Sequence, residues 1–471
     1  MAKITSRFFC KECGYESAKW LGQCPSCRTW NSFAEEPVKK ASSSFASGFS
    51  ASGRRGQTAR PVKIDEIALE QEDRMSTGFR ELDRVLGGGI VVGSLVLLGG
   101  DPGIGKSTIL LEVARNLAAD SGKSVLYVSG EESLKQIKLR AQRIAEIRGE
   151  LRFLCETSIE NILETLRAEK PDFVVIDSIQ TMCTELVTAA PGSVSQVRES
   201  AAALLRAAKE NGIAIFIVGH VTKDGNVAGP KVLEHMVDAV LYFEGESSGS
   251  LRILHGQKNR FGSTNEIAVF EMTGEGLQEV LNPSELLLSG RPAGAAGSVV
   301  TCGMEGTRPL LIEIQGLAVP TSFGLPRRTA NGVDYNRMNL LLAIIERRIG
   351  LEMSKYDAYL NIAGGLRISE PSTDLAIILA LISSCRNIQL PEDAMIFGEV
   401  GLAGEVRAVS NAEQRIEEAV RLGFHKIVMP AYHAEKFAGL KNRGVEILAV
   451  RNIREALAIL KRNGGEKEGR G

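Results

Sequence analysis

The sequence predicts an α/β core flanked by an N-terminal metal-binding finger and a C-terminal α+β domain, and three observations carry that prediction. Apolar strand-like runs alternate with helical patterns between Lys63 and Leu288, four cysteines gather near the amino terminus, and the texture changes again after SGRPAGAAGS, Ser289 to Ser298. Alternation of this kind builds a largely parallel sheet with helices on its faces. A chain of 471 residues also exceeds one ordinary core, so several domains are expected. With 56 Lys and Arg against 57 Asp and Glu, the chain is no polycation, and nucleic-acid contact would depend on local basic patches. MAKITSRFFC has no apolar segment of a secretory signal, and LAIILALI (Leu375 to Ile382) is too short to span a bilayer, which predicts a cytoplasmic protein with no membrane partner.

The finger comes first. Cys10, Cys13, Cys24 and Cys27 form C-x2-C-x10-C-x2-C, two knuckles that each present a pair of thiolates. Four thiolates satisfy tetrahedral Zn2+ with no open position, so the site is structural and residues 1–35 are assigned to it. Cys155, Cys183, Cys302 and Cys385 are scattered through apolar or irregular stretches and read as buried small hydrophobes. Residues 36–62 contain KKASSSFASGFSASGRRGQTARP, too poor in large apolar residues to build a core. They read as a flexible linker, leaving the finger tethered rather than docked, in which Arg54, Arg55 and Arg60 either touch phosphates or are simply solvated.

The core, residues 63–288, centres on GSLVLLGG followed by DPGIGKST. The first run suits a buried strand; KSTILLEVARNLAADSG suits a helix with Ile109, Leu110, Val113 and Leu117 on one face and Gly122 as its stop. Between them lies G-x-x-x-x-G-K-S. Backbone N–H groups of Gly100, Asp101, Pro102, Gly103, Ile104, Gly105, Lys106, Ser107 and Thr108, proline excepted, can surround phosphate oxygens at a helix N-terminus. Lys106 can reach the β and γ phosphates of ATP, and the Ser107 hydroxyl can ligate Mg2+. Further strands are expected at SVLYVSG, FVVID and IAIFIVG, whereas AVLYFEGE, LRILHGQKNR and EIAVFEM resemble antiparallel additions.

Hydrolysis also needs acids at the carboxyl edge of the sheet, where open α/β sheets hold ligands. Asp177, ending FVVID, suits the outer shell of Mg2+; Glu131 or Glu132, in LYVSGEES, suits orienting and deprotonating the attacking water. His220 ends IFIVGH and is a candidate γ-phosphate sensor.

STGFRELDRVLGGGIVVGSLVLLGGDPGIGKST resembles the entry to the ATPase core of the RecA superfamily. Taken in order with the four-cysteine finger before it and KNRFG (Lys258 to Gly262) after it, nearly the whole chain is similar to the bacterial RadA (Sms) family. That resemblance implies a RecA-like, DNA-dependent ATPase in DNA repair. It implies DnaB-like homohexameric rings acting as a translocase or helicase on single-stranded and branched DNA, promoting branch migration alongside RecA. It favours Glu131 over Glu132 as the catalytic acid. It also implies that mobile segments at Thr184 to Ser200 and His220 to His235 reach DNA in the ring centre, with Arg198, Lys223 and Lys231 as candidate phosphate contacts. In such a ring ATP lies at the subunit boundary, so Lys258 and Arg260 are expected to act in trans on a neighbour's ATP, with Phe261 and Gly262 turning the loop.

Residues 289–460 resemble the proteolytic domain of Lon, in GGLRISEPSTDLAIILALISS and FGEVGLAGEVRAVSNAEQRIEEAVRLGFHKIVMP. One competing reading follows, an ATP-dependent protease; the RecA-like core leaves another, a KaiC-type regulatory ring that needs neither the finger nor KNRFG. Ser372 falls at the nucleophile position, but the alignment of RLGFHKIVMP puts Glu413 at the lysine, and Asp374 replaces the glycine beyond the serine. A carboxylate repels a developing alkoxide, so the domain is expected to be proteolytically inactive and to assemble the ring, either with a basic face offered to DNA or without one. Residues 461–471, RNGGEKEGRG with the preceding lysine, read as a disordered tail.

Overall fold

The computed structural model describes residues 4–10, 15–39, 74–144, 148–220, 231–245, 250–321, 324–437, 439 and 444–463. Cys13, Arg54, Arg55, Arg60 and Lys223, most of the expected linker and residues 464–471 of the expected tail lie outside the described residues, whereas 461–463, expected to be disordered, continue the last helix to Asn463. The chain divides into two compact units, Met1–Glu279 and Val280–Gly471.

The first unit begins with a small antiparallel sheet, β1 (Ile4–Cys10), β2 (Glu16–Ser17) and β3 (Phe33–Lys39), in the order β2-β1-β3. Register pairing runs from Cys10↔Phe33 to Ile4↔Lys39, so the strand continues four residues into the segment expected to be linker. Phe9 is 5% exposed and joins the same apolar cluster as Val197, Ala201 and Leu204 of the core. The finger therefore rests on the core through Phe9, where a tether was expected.

A short pair, β4 (Arg74–Met75) and β5 (Ile90–Val91), brackets α1 (Arg80–Leu86). The main sheet is built from β6 (Leu95–Gly100), β7 (Val125–Ser129), β8 (Leu151–Cys155), β9 (Phe173–Asp177), β10 (Ala214–His220), β11 (Ala239–Glu244), β12 (Leu251–Asn259), β13 (Ile267–Thr273) and β14 (Gly276–Glu279). Their order is β14-β13-β12-β11-β6-β10-β9-β7-β8. All neighbours from β11 to β8 pair in parallel, and β12 to β14 run antiparallel. AVLYFEGE, expected to be antiparallel, is instead the parallel strand β11: it pairs with β6 from Ala239↔Val96 to Phe243↔Gly100. The antiparallel extension starts one strand later.

The helices are α2 (Lys106–Asp120), α3 (Leu134–Ile144), α4 (Ile159–Glu169), α5 (Val194–Asn211) and the short α6 (Lys231–Glu234). Strand side chains alternate between faces. Leu95 and Leu97 pack with Val197 and Leu204, whereas Val96 and Leu98 pack with Ile109, Leu110, Val113 and Leu117. Ser158 and Ser193 cap α4 and α5 by accepting from Asn161 N and Gln196 N, the usual role of serine at a helix start.

The second unit opens with α7 (Pro283–Leu288), which packs on the strand Arg308–Pro320; Ser284 Oγ accepts from Leu311 N at 3.1 Å and donates to Glu418 Oε1 at 2.7 Å. That packing moves the division upstream of the expected boundary at 288. Its sheet comprises β15 (Ser298–Glu305), β16 (Arg308–Pro320), β17 (Arg328–Asn331), β18 (Tyr356–Ile362), β19 (Ala394–Ile396), β22 (Lys426–Pro430) and β23 (Glu446–Val450), in the order β17-β18-β16-β15-β19-β22-β23. A separate hairpin pairs β20 (Glu399–Val400) with β21 (Val406–Arg407). Around them lie α8 (Tyr335–Ile344), α9 (Asp374–Arg386), α10 (Ala412–Arg421), α11 (Ala434–Phe437) and α12 (Ile453–Asn463). α9 is buried from Asp374 to Ser383, so LAIILALI is a core helix. Among the described residues no helix is long and apolar enough to cross a membrane.

Candidate active site and metal finger

The carboxyl edge of the main sheet gathers the residues expected to handle phosphate. β6 is buried throughout and delivers the chain into a loop whose Gly105 has φ 117°, a conformation that favours glycine, before α2 starts at Lys106. Lys106 is 3% exposed, and its Nζ donates to Gly100 O at 2.7 Å and Asp101 O at 2.9 Å. Burial pushes its pKa down to about 8, against the opposing fields of Asp177, Asp101 and Glu131. Arg252 donates from Nε to Ile104 O at 3.2 Å, tying the loop to β12.

Asp177 ends β9 and is 7% exposed; Tyr127 donates to its Oδ2 at 2.6 Å. The Asp177–Ser178 peptide is cis. One strand away, Gly130 N donates to Asp177 O at 2.8 Å, which carries the chain past β7 and sets Glu131 beside Ser178. Ser178 Oγ donates to Glu131 Oε1 at 2.5 Å, and His220 Nε2 lies 3.5 Å from the same oxygen. The hydrogen bond from His220, then that from Ser178, hold the Glu131 carboxyl down at about 2 despite partial burial. Glu131 is thus an anion among Lys106, Ser178 and His220. Glu132 instead pairs with Arg140. His220 Nδ1 is buried with no partner among the described residues, and Gln180 Nε2 donates to His220 O at 3.2 Å. Ser107, in the first turn of α2, and Asp177 are the oxygen donors that suit Mg2+.

KNRFG lies at the opposite edge. Asn259 pairs with Ala239 and Lys258 with Val240, at the amino end of β11, whereas Gly100 pairs with Phe243 at its carboxyl end. Lys258 Nζ donates to Glu234 O at 2.7 Å and Val237 O at 2.8 Å, and burial lowers its pKa. Arg260 keeps a 55% exposed side chain and donates to Asp238 Oδ1 at 3.1 Å. Asp238, itself 3% exposed at the side chain, also pairs with Lys209 at 2.8 Å and accepts from Leu95 N at 3.1 Å. Asn259 bridges Val85 O and Phe261 N, and a Cβ on Gly262 would come within 2.9 Å of Gly87 Cα. The motif is therefore a built loop with one outward cation.

Of the segment expected to be mobile, Thr184 to Ser200, the last seven residues belong to α5, and Gln196 Nε2 holds the carbonyls of Thr184, Val187 and Ala189. Arg198 is exposed on the first turns of that helix. Lys231 opens α6, and its side chain lies outside the described residues.

In the finger, the Sγ atoms of Cys10, Cys24 and Cys27 lie within 4.8 Å of one another, with Cys10 and Cys27 at 3.6 Å. Thiolates about 2.3 Å from a tetrahedral zinc stand about 3.8 Å apart, so this donor set fits Zn2+.

In the second unit the structure corrects the reading of Ser372. Glu413 is exposed and pairs with Lys436 at 2.7 Å. The side chain beside Ser372 is Arg415, fully buried, whose Nη1 donates to Ser372 Oγ at 3.1 Å and to Cys302 O; its other nitrogens meet Ser410 O and Glu370. Asp374 is paired with Arg337 and accepts from Val400 N at 3.1 Å, so it terminates a structural network. A guanidinium stays protonated and cannot take the serine proton.

Ser178, Asp238, Asn259 and Arg415 are residues in contact with the candidate site residues that sequence reasoning passed over. Only the polar residue following the apolar run FVVID could have flagged one of them.

Comparison with known proteins matches the AAA domain family over residues 58–226, the rubredoxin metal binding domain over residues 8–35 and the subunit ChlI of Mg-chelatase over residues 316–433. DNA repair protein RadA of Bacillus subtilis (strain 168) is 54% identical, covering 97% of this chain and 99% of that protein. Its counterpart in Halalkalibacterium halodurans is 51% identical over 98% of this chain and 99% of its own. The KaiC-like protein PH0186 of Pyrococcus horikoshii OT3 aligns at 19% identity over 44% of this chain and 99% of its own, with a TM-score of 0.36.

Proposed function

The chain belongs to the family of DNA repair protein RadA, and on that premise we propose that it is a DNA-stimulated ATPase that assembles into a homohexameric ring and drives branch migration of recombination intermediates with RecA in the cytoplasm. The observation that carries this reading is the division of catalytic parts between two edges of one sheet. Lys106, Asp177 and Glu131 converge at the carboxyl edge, and Arg260 projects from the other. A ring in which one subunit's amino edge meets its neighbour's carboxyl edge completes the site.

In that ring the loop N–H groups and Lys106 bind the phosphates. Ser107 and Asp177 would hold Mg2+, which neutralises phosphate charge when bound. Glu131, kept ionised by Ser178 and His220, orients the attacking water and accepts its proton. Charge spreads over the γ-phosphoryl oxygens as the bond to the leaving group breaks, and Arg260 of the neighbouring subunit stabilises it. Lys258 has a different part: by gripping Glu234 O and Val237 O it ties KNRFG to the segment that leads into β11. Lys223, Lys231 and Arg198 supply phosphate contacts, and binding weakens with salt. Cys13 completes the finger's four zinc ligands.

Proteolysis is not part of this reading, because Arg415 occupies the position a neutral lysine would need beside Ser372. The test is strand extension in a three-strand exchange reaction with RecA. The protein extends the heteroduplex, Lys106→Ala does not, and equal extension by both would reject the proposal.

A further inference from the structure

The chain contains two tryptophans, Trp20 and Trp30, and both are in the finger. Neither is buried: Trp20 is 54% exposed and Trp30 68%. Nor are they scattered. A Cβ placed on Gly22 would lie 3.7 Å from Trp30 Cζ3, 3.8 Å from Trp20 Cζ3 and 3.9 Å from Trp20 Cη2, so the two benzo rings converge over one glycine that has no side chain to fill the space between them.

The backbone under this pair is fixed. Gln23 and Trp30 form an antiparallel bridge, Asn31 N donates to Gly22 O at 2.8 Å, Gln23 Nε2 donates to Arg28 O at 2.9 Å, and Cys24 N donates to Thr29 O at 3.0 Å. The same hairpin carries Cys24 and Cys27, so the metal site that organises the thiols also sets the indoles. On the stretch that carries them, Ala18 to Asn31, the charged side chains are Lys19 and Arg28, both exposed, and the finger's acids lie outside it, at Glu12, Glu16, Glu35 and Glu36. Two solvent-facing indoles spend nothing on the core and offer flat π faces with cations alongside, which is the composition of a stacking platform for single-stranded nucleic acid.

We infer that the Trp20–Trp30 face of the finger binds single-stranded DNA, stacking bases on the indoles while Lys19 and Arg28 meet the phosphates. This is a contact separate from the ring-centre segments and independent of nucleotide, since no residue of the phosphate-binding loop takes part. It rests on the DNA-binding reading above only in assuming that DNA is a ligand of the chain.

Because no other tryptophan exists in the chain, intrinsic fluorescence reads this surface alone. Full-length, zinc-loaded protein is titrated with an unlabelled thymidine oligonucleotide at 295 nm excitation, and binding of a labelled oligonucleotide is followed in parallel by anisotropy. The inference predicts quenching that saturates with the anisotropy change and weakens with salt, and an affinity loss of about tenfold or more in Trp30→Ala and in Trp20→Ala. Trp30→Phe, which keeps an aromatic face, recovers part of it. Zinc content stays at the wild-type level in all three variants, which excludes unfolding of the finger. Anisotropy that rises without quenching, or tryptophan variants that bind as the wild type does, overturns the inference and leaves the ring proposal standing. Absence of any anisotropy change overturns both. Quenching by RecA and not by DNA would make the face a protein-docking surface and would likewise overturn it.

Discussion

The proposed division of catalytic groups between neighbouring subunits makes a quantitative prediction for mixtures of two variants expected to be inactive. Arg260→Ala keeps the phosphate loop and Glu131 but lacks the outward cation; Lys106→Ala lacks the loop lysine but still offers Arg260. Within one chain the two edges are far apart. Phe243 pairs with Gly100 and Ala239 with Asn259, and these four steps along β11 span about 13 Å before the loop itself is counted. Arg260 is moreover bonded to Asp238 at the amino edge, so it cannot serve its own ATP. An arginine that stabilises a transferring phosphoryl group is worth about a thousandfold or more in turnover, and each variant alone is expected to lose at least that much or fall to the assay floor. In an equimolar mixture of freely exchanging subunits, about one boundary in four joins an intact loop to an intact Arg260, because the interface is head-to-tail. Steady-state ATPase of the mixture should therefore recover to roughly a quarter of wild type. Arg260→Ala also keeps its melting temperature within about 2 °C, since the side chain is exposed and its one ion pair contributes little. A mixture no more active than its components, or Arg260→Ala with unchanged turnover, would refute the reasoning.

Other outcomes follow from the same geometry. Glu131→Gln should retain ATP binding and lose turnover by at least about a hundredfold, seen as slow single-turnover hydrolysis with normal nucleotide affinity. Lys106 gives a pH signature. Burial lowers its pKa from 10.5 to about 8, so between those values the unfolded chain holds a proton that the folded one has lost; the group's contribution to stability rises with pH across that window. Bound phosphate favours the charged amine, so calorimetry at pH 9 in buffers of different ionisation enthalpy should show proton uptake on ATP binding, absent in Lys106→Ala. Breaking the buried Arg415–Glu370 pair with Arg415→Ala should cost about 3–5 kcal/mol, lowering the melting temperature of the second unit by roughly 6–20 °C, measurable by scanning calorimetry. Cys24→Ser should lower zinc content and expose Phe9, detected as faster proteolysis of the finger, while leaving nucleotide affinity near wild type.

Much of this molecule was legible because local chemistry and fold agree. The loop from Gly100 to Thr108 needs a preceding buried strand and a following helix, and GSLVLLGG and KSTILLEVARNL supply both within one window. The paired cysteines likewise carry their geometry in their spacing. What escaped depends on contacts distant in sequence. LRFLC, the edge strand β8, is half-exposed and lacks a clear alternating pattern. AVLYFEGE reads alike as a parallel or antiparallel strand, because pairing direction is decided by where the chain re-enters the sheet. Lys258 and Arg260 appear equivalent in KNRFG, yet one is taken up by two carbonyls from a segment some twenty residues earlier and the other is left outward. Arg415 was missed because a charged residue on an amphipathic helix reads as surface, and only the fold brings Ser372, Glu370 and Cys302 around it. Phe9 gave no sign of docking, since one aromatic in a small finger is equally at home in the finger's own interior.

The central claim is that ATP turnover at Lys106, Glu131 and Asp177 is coupled to DNA. Its most direct test is the steady-state ATPase rate of the full-length protein with and without single-stranded DNA, alongside Lys106→Ala as the background. Single-stranded DNA should raise turnover several-fold in the wild type, in a salt-dependent manner, and not at all in Lys106→Ala. A wild-type rate that is the same with and without DNA, under conditions where anisotropy reports that DNA is bound, would contradict it.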